Sequence, residues 1–144
     1  MTASRARAPL ALTMGEPAGI GGEIALKAWL SREEVPLPPF LAIDDPERLA
    51  ALARALELRA PVEAVAAPEE AAAVFPRAFP VLPLALPHAV APGQPDPRNG
   101  AAVIASIRRA VELALAGEIA ALVTAPIHKK SLYRAGFEHP GHTE

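Results

Sequence analysis

The 144-residue sequence contains no cysteine. Disulfides, thiolate metal sites and cysteine nucleophiles are thereby excluded, and the absence fits a reducing compartment. Aromatic residues are scarce at 4%, and charge of either sign is not in excess, with 14 basic against 16 acidic residues and a net charge of −2. The chain therefore offers neither the basic stripe nor the stacking side chains that nucleic-acid binding needs. A small metabolite is the expected partner. Long hydrophobic runs are also missing. The apolar stretch that follows Arg5 and Arg7 stops at Met14, too short for a signal segment, and no other stretch approaches a membrane span. The expected location is the cytoplasm, without a membrane partner. Lysine is confined to Lys27, Lys129 and Lys130, a bias towards arginine, alanine and proline that reflects genome composition rather than function. What is present is 51% hydrophobic and 21% charged residues, the balance of a soluble chain of one-domain size able to bury a core.

Short apolar runs alternate with helical periodicity. "LALT" (10–13), "FLAI" (40–43), "VEAVA" (62–66), "VLPLA" (81–85) and "AALVT" (120–124) are of strand length and lack polar alternation, which predicts strands covered on both faces. "IALKAWL" (24–30) reads as a helix. Asp44, Pro46 and Glu47 form a second helix start, with Leu49, Leu52 and Leu56 at helical spacing through 46–60. The longest helix is predicted from Asn99 to Ala116, with Ile104, Ile107, Val111 and Leu115 as its apolar stripe, Arg108, Arg109 and Glu112 on its polar side, and Gly117 as its stop. A last helix, "IHKKSLYRA" (127–135), stops at Gly136. The order predicts an α/β fold, a mainly parallel sheet with flanking helices. The segment from Pro76 to Pro97 carries seven prolines and is expected to be a surface excursion with at most one edge strand.

The stretch "TMGEPAGIGGE" (13–23) holds four glycines between the first strand and the first helix. Such a turn either closes a tight corner or lets a ligand approach the backbone. It matches neither G-x-G-x-x-G nor G-K-[ST], and no G-x-S-x-G is present. In a parallel sheet the strand C-termini open on one edge, where ligands bind. If the first and last strands are neighbours, the glycine turn converges with "TAPIHKK", whose Thr124, His128, Lys129 and Lys130 lie at a helix start that suits a phosphate or carboxylate. His139 and His142 are separated by Pro140 and Gly141, which remove helical register, so no complete zinc site is expected in the chain.

"GEPAGIGGE" (15–23), "ALVTAPIHK" (121–129) and "AGFEHPGHTE" (135–144), in that order, resemble the 4-hydroxythreonine-4-phosphate dehydrogenase family of vitamin B6 biosynthesis. "PRNGAAVIASIRRAVELALAGEIAALVTAPIHK" is similar in pattern as well, and the glycine turn looks like that of isocitrate and isopropylmalate dehydrogenases. One departure is Gly22, where the family usually has proline, which bears on the stiffness of the helix entry. The resemblance implies the N-terminal portion of a two-domain isocitrate/isopropylmalate dehydrogenase-like fold, with residues 1–144 as its N-terminal α/β part.

The activity implied is NAD-dependent, metal-assisted oxidation of 4-(phosphooxy)-L-threonine, with decarboxylation to 3-amino-2-oxopropyl phosphate. His142 and Thr143 of "GHTE" are the implied substrate contacts, suited by type to donate hydrogen bonds to oxygen. Glu16, Gly19, Gly21, Thr124, His128 and Lys129 are the expected cleft-lining residues. The resemblance puts the family's metal ligands beyond Glu144, so the divalent cation has no ligand in this chain. It implies a homodimer for the full-length form, and an inactive fragment for these residues alone. Two other readings stand beside it. One is a dehydrogenase of a four-carbon sugar acid 4-phosphate such as threonate or erythronate. The other is a non-catalytic α/β piece that binds a phosphorylated metabolite.

Overall fold

The computed structural model describes residues 8–141. Five strands form one parallel sheet in the order β3-β4-β2-β1-β5: β1 (Leu10–Thr13), β2 (Phe40–Asp44), β3 (Val62–Ala64), β4 (Phe79–Pro83) and β5 (Ala121–Val123). Helices α1 (Gly21–Leu30), α2 (Pro46–Ala55), α3 (Ala71–Val74), α4 (Gly100–Leu115) and α5 (Lys129–Arg134) connect or follow them, with short 3₁₀ turns at Pro68–Glu70 and Pro97–Asn99. From β1 to β3 the chain travels one way along the sheet with α1 and α2 on one face. From β3 to β5 it travels back with α3 and α4 on the other. Crossovers of a single hand require that exchange of faces when direction reverses.

The two faces have separate cores. Ala25, Leu26 and Trp29 of α1 and Leu49 and Ala53 of α2 pack on Phe40, Ala42, Phe79 and Val81. Four of the few aromatics meet there: Phe40 is edge-on to Phe75 and Phe79 at 4.9 and 5.8 Å, and Trp29 Nε1 donates to the Phe75 carbonyl at 2.9 Å. Opposite them, Leu41, Ile43 and Leu82 pack under Ala71, Val74, Ala110 and Leu113. A third cluster of Met14, Val103 and Leu132 joins α4 to α5 beneath the C-terminal edge of β1.

Four expectations are corrected by this architecture. The proline-dense segment contains β4, an internal strand whose first four residues are buried. Phe79 N donates to Pro61 O and Val81 O accepts from Val65 N, so the odd residues turn their backbone to β3 and the even ones to β2. Pro80 therefore faces β2 just ahead of the first pair, Ala42 with Val81, and Pro83 faces β3 just past the last, Ala64 with Val81. Neither proline removes a donor that the ladder uses. Coverage on both faces holds for β2 but not for β5, an edge strand with Ala121 and Val123 exposed. The second helix ends at Ala55, before Glu57 at φ 56°, and its N-cap is Asp45, whose carboxylate accepts from Glu47 N and Arg48 N.

The fourth correction concerns α4. Its buried side is Val103, Ser106, Ala110 and Leu113, while Val111 is 41% and Leu115 85% exposed. Ser106 decides the orientation. Its Oγ accepts from Met14 N at 2.9 Å and donates to Ile43 O at 2.8 Å, clasping the ends of β1 and β2. Ser106→Ala leaves a buried N–H and a buried carbonyl without partners, and a loss of about 1–3 kcal/mol is expected in urea unfolding. An unchanged midpoint would refute the clasp.

Candidate functional site

β1 and β5 are neighbours, with Leu10, Ala11 and Leu12 in register with Ala121, Leu122 and Val123. The chain leaves β1 for α1 on one face and leaves β5 for α5, which packs against α4 on the other. Two adjacent strands whose exits diverge to opposite faces make a topological switch point, where open α/β sheets form a crevice.

The glycines of 13–23 serve contacts within the protein itself. Gly15 has φ +65°, and a Cβ there would lie 2.7 Å from both Ala125 Cβ and Pro126 O. A Cβ on Gly21 would lie 3.0 Å from Ala125 Cβ, and one on Gly22 would lie 2.9 Å from Leu52 Cδ2 and 3.0 Å from Arg48 Nη1. The last contact accounts physically for glycine, rather than proline, at 22. The turn is knit internally too: Gly19 N donates to Glu16 O at 2.9 Å, Ala18 N to Glu16 Oε1 at 3.0 Å, and Glu16 N across to Pro126 O at 2.8 Å. Thr13 Oγ1 accepts from Ala125 N at 3.1 Å. From the proline-rich segment, Gly93 N reaches Ala18 O at 2.9 Å.

Glu16, Gly19 and Gly21 thus stand on one rim of the crevice, and Thr124, His128 and Lys129, all exposed, on the other. His128 lies ahead of the helix as its N-cap, so α5 begins two residues later than the periodicity predicts. Its Nδ1 lies 3.3 Å from Ser131 N, which donates to it, and 2.7 Å from Ser131 Oγ. An Nδ1 that accepts from a backbone N–H carries no proton, so in the neutral ring the proton sits on Nε2, as a donor. Ile20, the N-cap of α1, makes no side-chain bond, which leaves the first-turn N–H groups of that helix open to an anionic oxygen or to water. His142 and Thr143 lie outside the described residues.

The sequence pattern marks Asp44 only as part of a helix start and does not mark Arg48. The Asp44 carboxylate is buried and takes Arg48 Nη2 at 2.6 Å and Nε at 3.1 Å, while Arg48 Nη1 donates to Pro17 O at 3.2 Å. Burial pushes the Asp44 carboxyl above its ordinary value, against the opposing pull of the guanidinium. The i,i+4 spacing was the available signal. Ser106 offered one as well, a lone hydroxyl within an apolar stripe. A separate groove of about 300 Å³, lined by Ile43, Leu82, Leu84, Arg108, Arg109 and others, opens between β4 and α4 and includes none of the predicted site residues.

Residues 37–144 match the family model described as pyridoxal phosphate biosynthetic protein PdxA. A 4-hydroxythreonine-4-phosphate dehydrogenase of Methylorubrum populi is 53% identical over 137 residues, which cover 94% of this chain and 39% of that protein. One of Bradyrhizobium diazoefficiens is 46% identical over 149 residues, 99% of this chain and 43% of that protein. The chain thus spans about two fifths of the length of these relatives. The crystal structure of 4-hydroxythreonine-4-phosphate dehydrogenase from Klebsiella pneumoniae superposes with a TM-score of 0.79 at 33% identity, over 94% of this chain and 42% of that one. A terephthalate 1,2-cis-dihydrodiol dehydrogenase from Burkholderia xenovorans follows at 0.70 and 27%, over 92% of this chain and 38% of that one.

Proposed function

The chain belongs to the PdxA family of pyridoxal phosphate biosynthetic proteins, and on that premise we propose that it forms the β1–β5 side of a dehydrogenase site for 4-(phosphooxy)-L-threonine. The reaction is oxidation of the secondary alcohol by NAD, followed by decarboxylation to 3-amino-2-oxopropyl phosphate. The observation that carries the reading is the switch-point crevice, built from two of the family-like motifs and tied by the Glu16–Pro126 hydrogen bond. The relatives named for the hydroxythreonine phosphate are more similar than the one named for a dihydrodiol, which favours a phosphorylated aliphatic substrate.

Within this reading, Lys129 and the open first turn of α1 attract the anionic substrate, and His128 Nε2 donates to one of its oxygens. His142 and Thr143 contact the substrate. NAD, when bound, supplies the hydride acceptor, and a divalent cation supplies the charge that polarises the new carbonyl. Among the described residues no three His, Cys, Asp or Glu side chains gather to hold a metal ion. On this reading the contribution of the described part of the chain is to bind and orient the substrate. No helix among the described residues is long and apolar enough to cross a membrane.

A chimera that joins residues 1–144 to the remaining length of the Methylorubrum populi relative tests the reading. It is expected to form NADH from 4-(phosphooxy)-L-threonine with a divalent cation present, and to show a lower kcat/KM with threonate 4-phosphate. A soluble, folded chimera without turnover overturns the dehydrogenase reading, and a preference for threonate 4-phosphate overturns the substrate.

A further inference from the structure

We propose that Arg48 is a positioning residue for the glycine turn at the crevice, and that residue 22 is a glycine to leave room for its guanidinium. The functional part of this inference rests on the dehydrogenase reading; the structural part does not. Arg48 is a surface-type residue on a surface helix, yet its side chain is only 10% exposed, and three of its donors are engaged. Two go to Asp44 at the end of β2, and the third goes to Pro17 O, inside the turn. A planar fork held by a buried carboxylate has a fixed direction, so Nη1 meets Pro17 O at a position set by the sheet. The ammonium of lysine could not serve both partners in this geometry.

The turn has four further ties: Glu16 N to Pro126 O, Ala125 N to Thr13 Oγ1, Gly93 N to Ala18 O, and Met14 N to Ser106 Oγ. Those come from the β5 exit, the proline-rich segment and α4. Arg48 is the tie from the α2 side, and it acts on the residue between Glu16 and Ala18, opposite the Pro126 bond. Without it, the turn can pivot on its contact with Ala125. At Gly22 a Cβ would lie 3.0 Å from Arg48 Nη1, so a side chain there requires the guanidinium to give by a few tenths of an ångström. Leu52 Cδ2 and Leu49 Cδ2, at 2.9 and 3.3 Å, close the remaining space.

The test is amide hydrogen exchange, resolved by residue, in the 144-residue chain and in the chimera. Arg48→Lys is expected to speed exchange at Glu16, Ala18 and Gly19 at least tenfold while leaving β2 and β4 amides unchanged. A purely structural ion pair would instead lower protection across the sheet. Since Arg48→Ala strands a buried carboxylate and can unfold the chain, the double variant Asp44→Ala/Arg48→Ala is measured beside it, and the same localised increase is expected. In the chimera, Arg48→Lys is expected to raise KM several-fold with a smaller change in kcat. Gly22→Ala should speed turn exchange in the parent and do so less in the double variant. Unchanged or uniformly raised exchange in both Arg48 variants overturns the positioning role. An equal effect of Gly22→Ala in both backgrounds overturns the role of glycine 22. A chimera inactive with native Arg48 counts against the dehydrogenase reading, and the exchange results still decide this one.

Discussion

Gly15→Ala is expected to destabilise the fold by about 2–5 kcal/mol, a large fraction of the roughly 5–15 kcal/mol that holds a domain folded. Two penalties combine. At φ +65° a side chain meets the left-handed cost of about 1–2 kcal/mol. The new methyl would also sit 2.7 Å from Ala125 Cβ and Pro126 O, and overpacking of this kind costs about 1–3 kcal/mol. Relief is difficult because β1 and β5 hold both partners in register. Gly117 supplies the control. It has φ +75° with nothing within 4 Å of a built Cβ, so Gly117→Ala carries the backbone penalty alone, about 1–2 kcal/mol. Denaturant midpoints of the two variants check the difference. If both lose the same amount, the close approach of the two loops is wrong.

Replacement of Thr143 by valine in the chimera is expected to lower kcat/KM by about 1–3 kcal/mol, from roughly fivefold to more than a hundredfold. Valine keeps the shape and removes the hydroxyl, which leaves a charged substrate oxygen with one hydrogen bond fewer. His142→Ala is expected to cost at least as much. Both follow Gly141, where the backbone can approach a ligand closely, and both come shortly after α5, whose N-cap His128 stands on the crevice rim. His88→Ala serves as the comparison. His88 is anchored through its backbone, its N–H to Asn99 Oδ1 at 3.0 Å and its carbonyl to Asn99 Nδ2 at 3.1 Å, so loss of the imidazole should change kinetics little. Steady-state rates on the three variants, each checked for folding, decide the matter. Parental kcat/KM in both His142→Ala and Thr143→Val would remove the terminal motif from the substrate site.

The two sides of the crevice were legible for the same reason. A strand that ends in "TMGEPAGIGGE" and another that ends in "TAPIHKK" are marked locally, by apolar runs that stop at glycine, proline and polar residues. That β1 and β5 are adjacent is a property of strand order, and the sequence left it conditional. Arg48 shows the same limit. Its pairing with Asp44 is a local i,i+4 event, whereas its bond to Pro17, 31 residues away, exists only because β1 and β2 are paired.

The sequence by itself determined what depends on neighbours along the chain: five short apolar strands, the helices except the short one at Ala71–Val74, the helix stop at Gly117, and a glycine turn at a strand end. Local sterics and periodicity are sufficient there, because each choice is made within a few residues. The tertiary structure decided what depends on a choice between equally apolar alternatives. On α4 two stripes about a hundred degrees apart could each face a sheet, and the smaller one, Val103, Ser106, Ala110 and Leu113, is buried because Ser106 finds Met14 N and Ile43 O there. In β4 the prolines were compatible with a surface path or an interior strand, and the ladder offsets that leave Pro80 and Pro83 without a required donor settle it. Hydrogen-bond partners distant in the chain carry that information, and periodicity does not encode them.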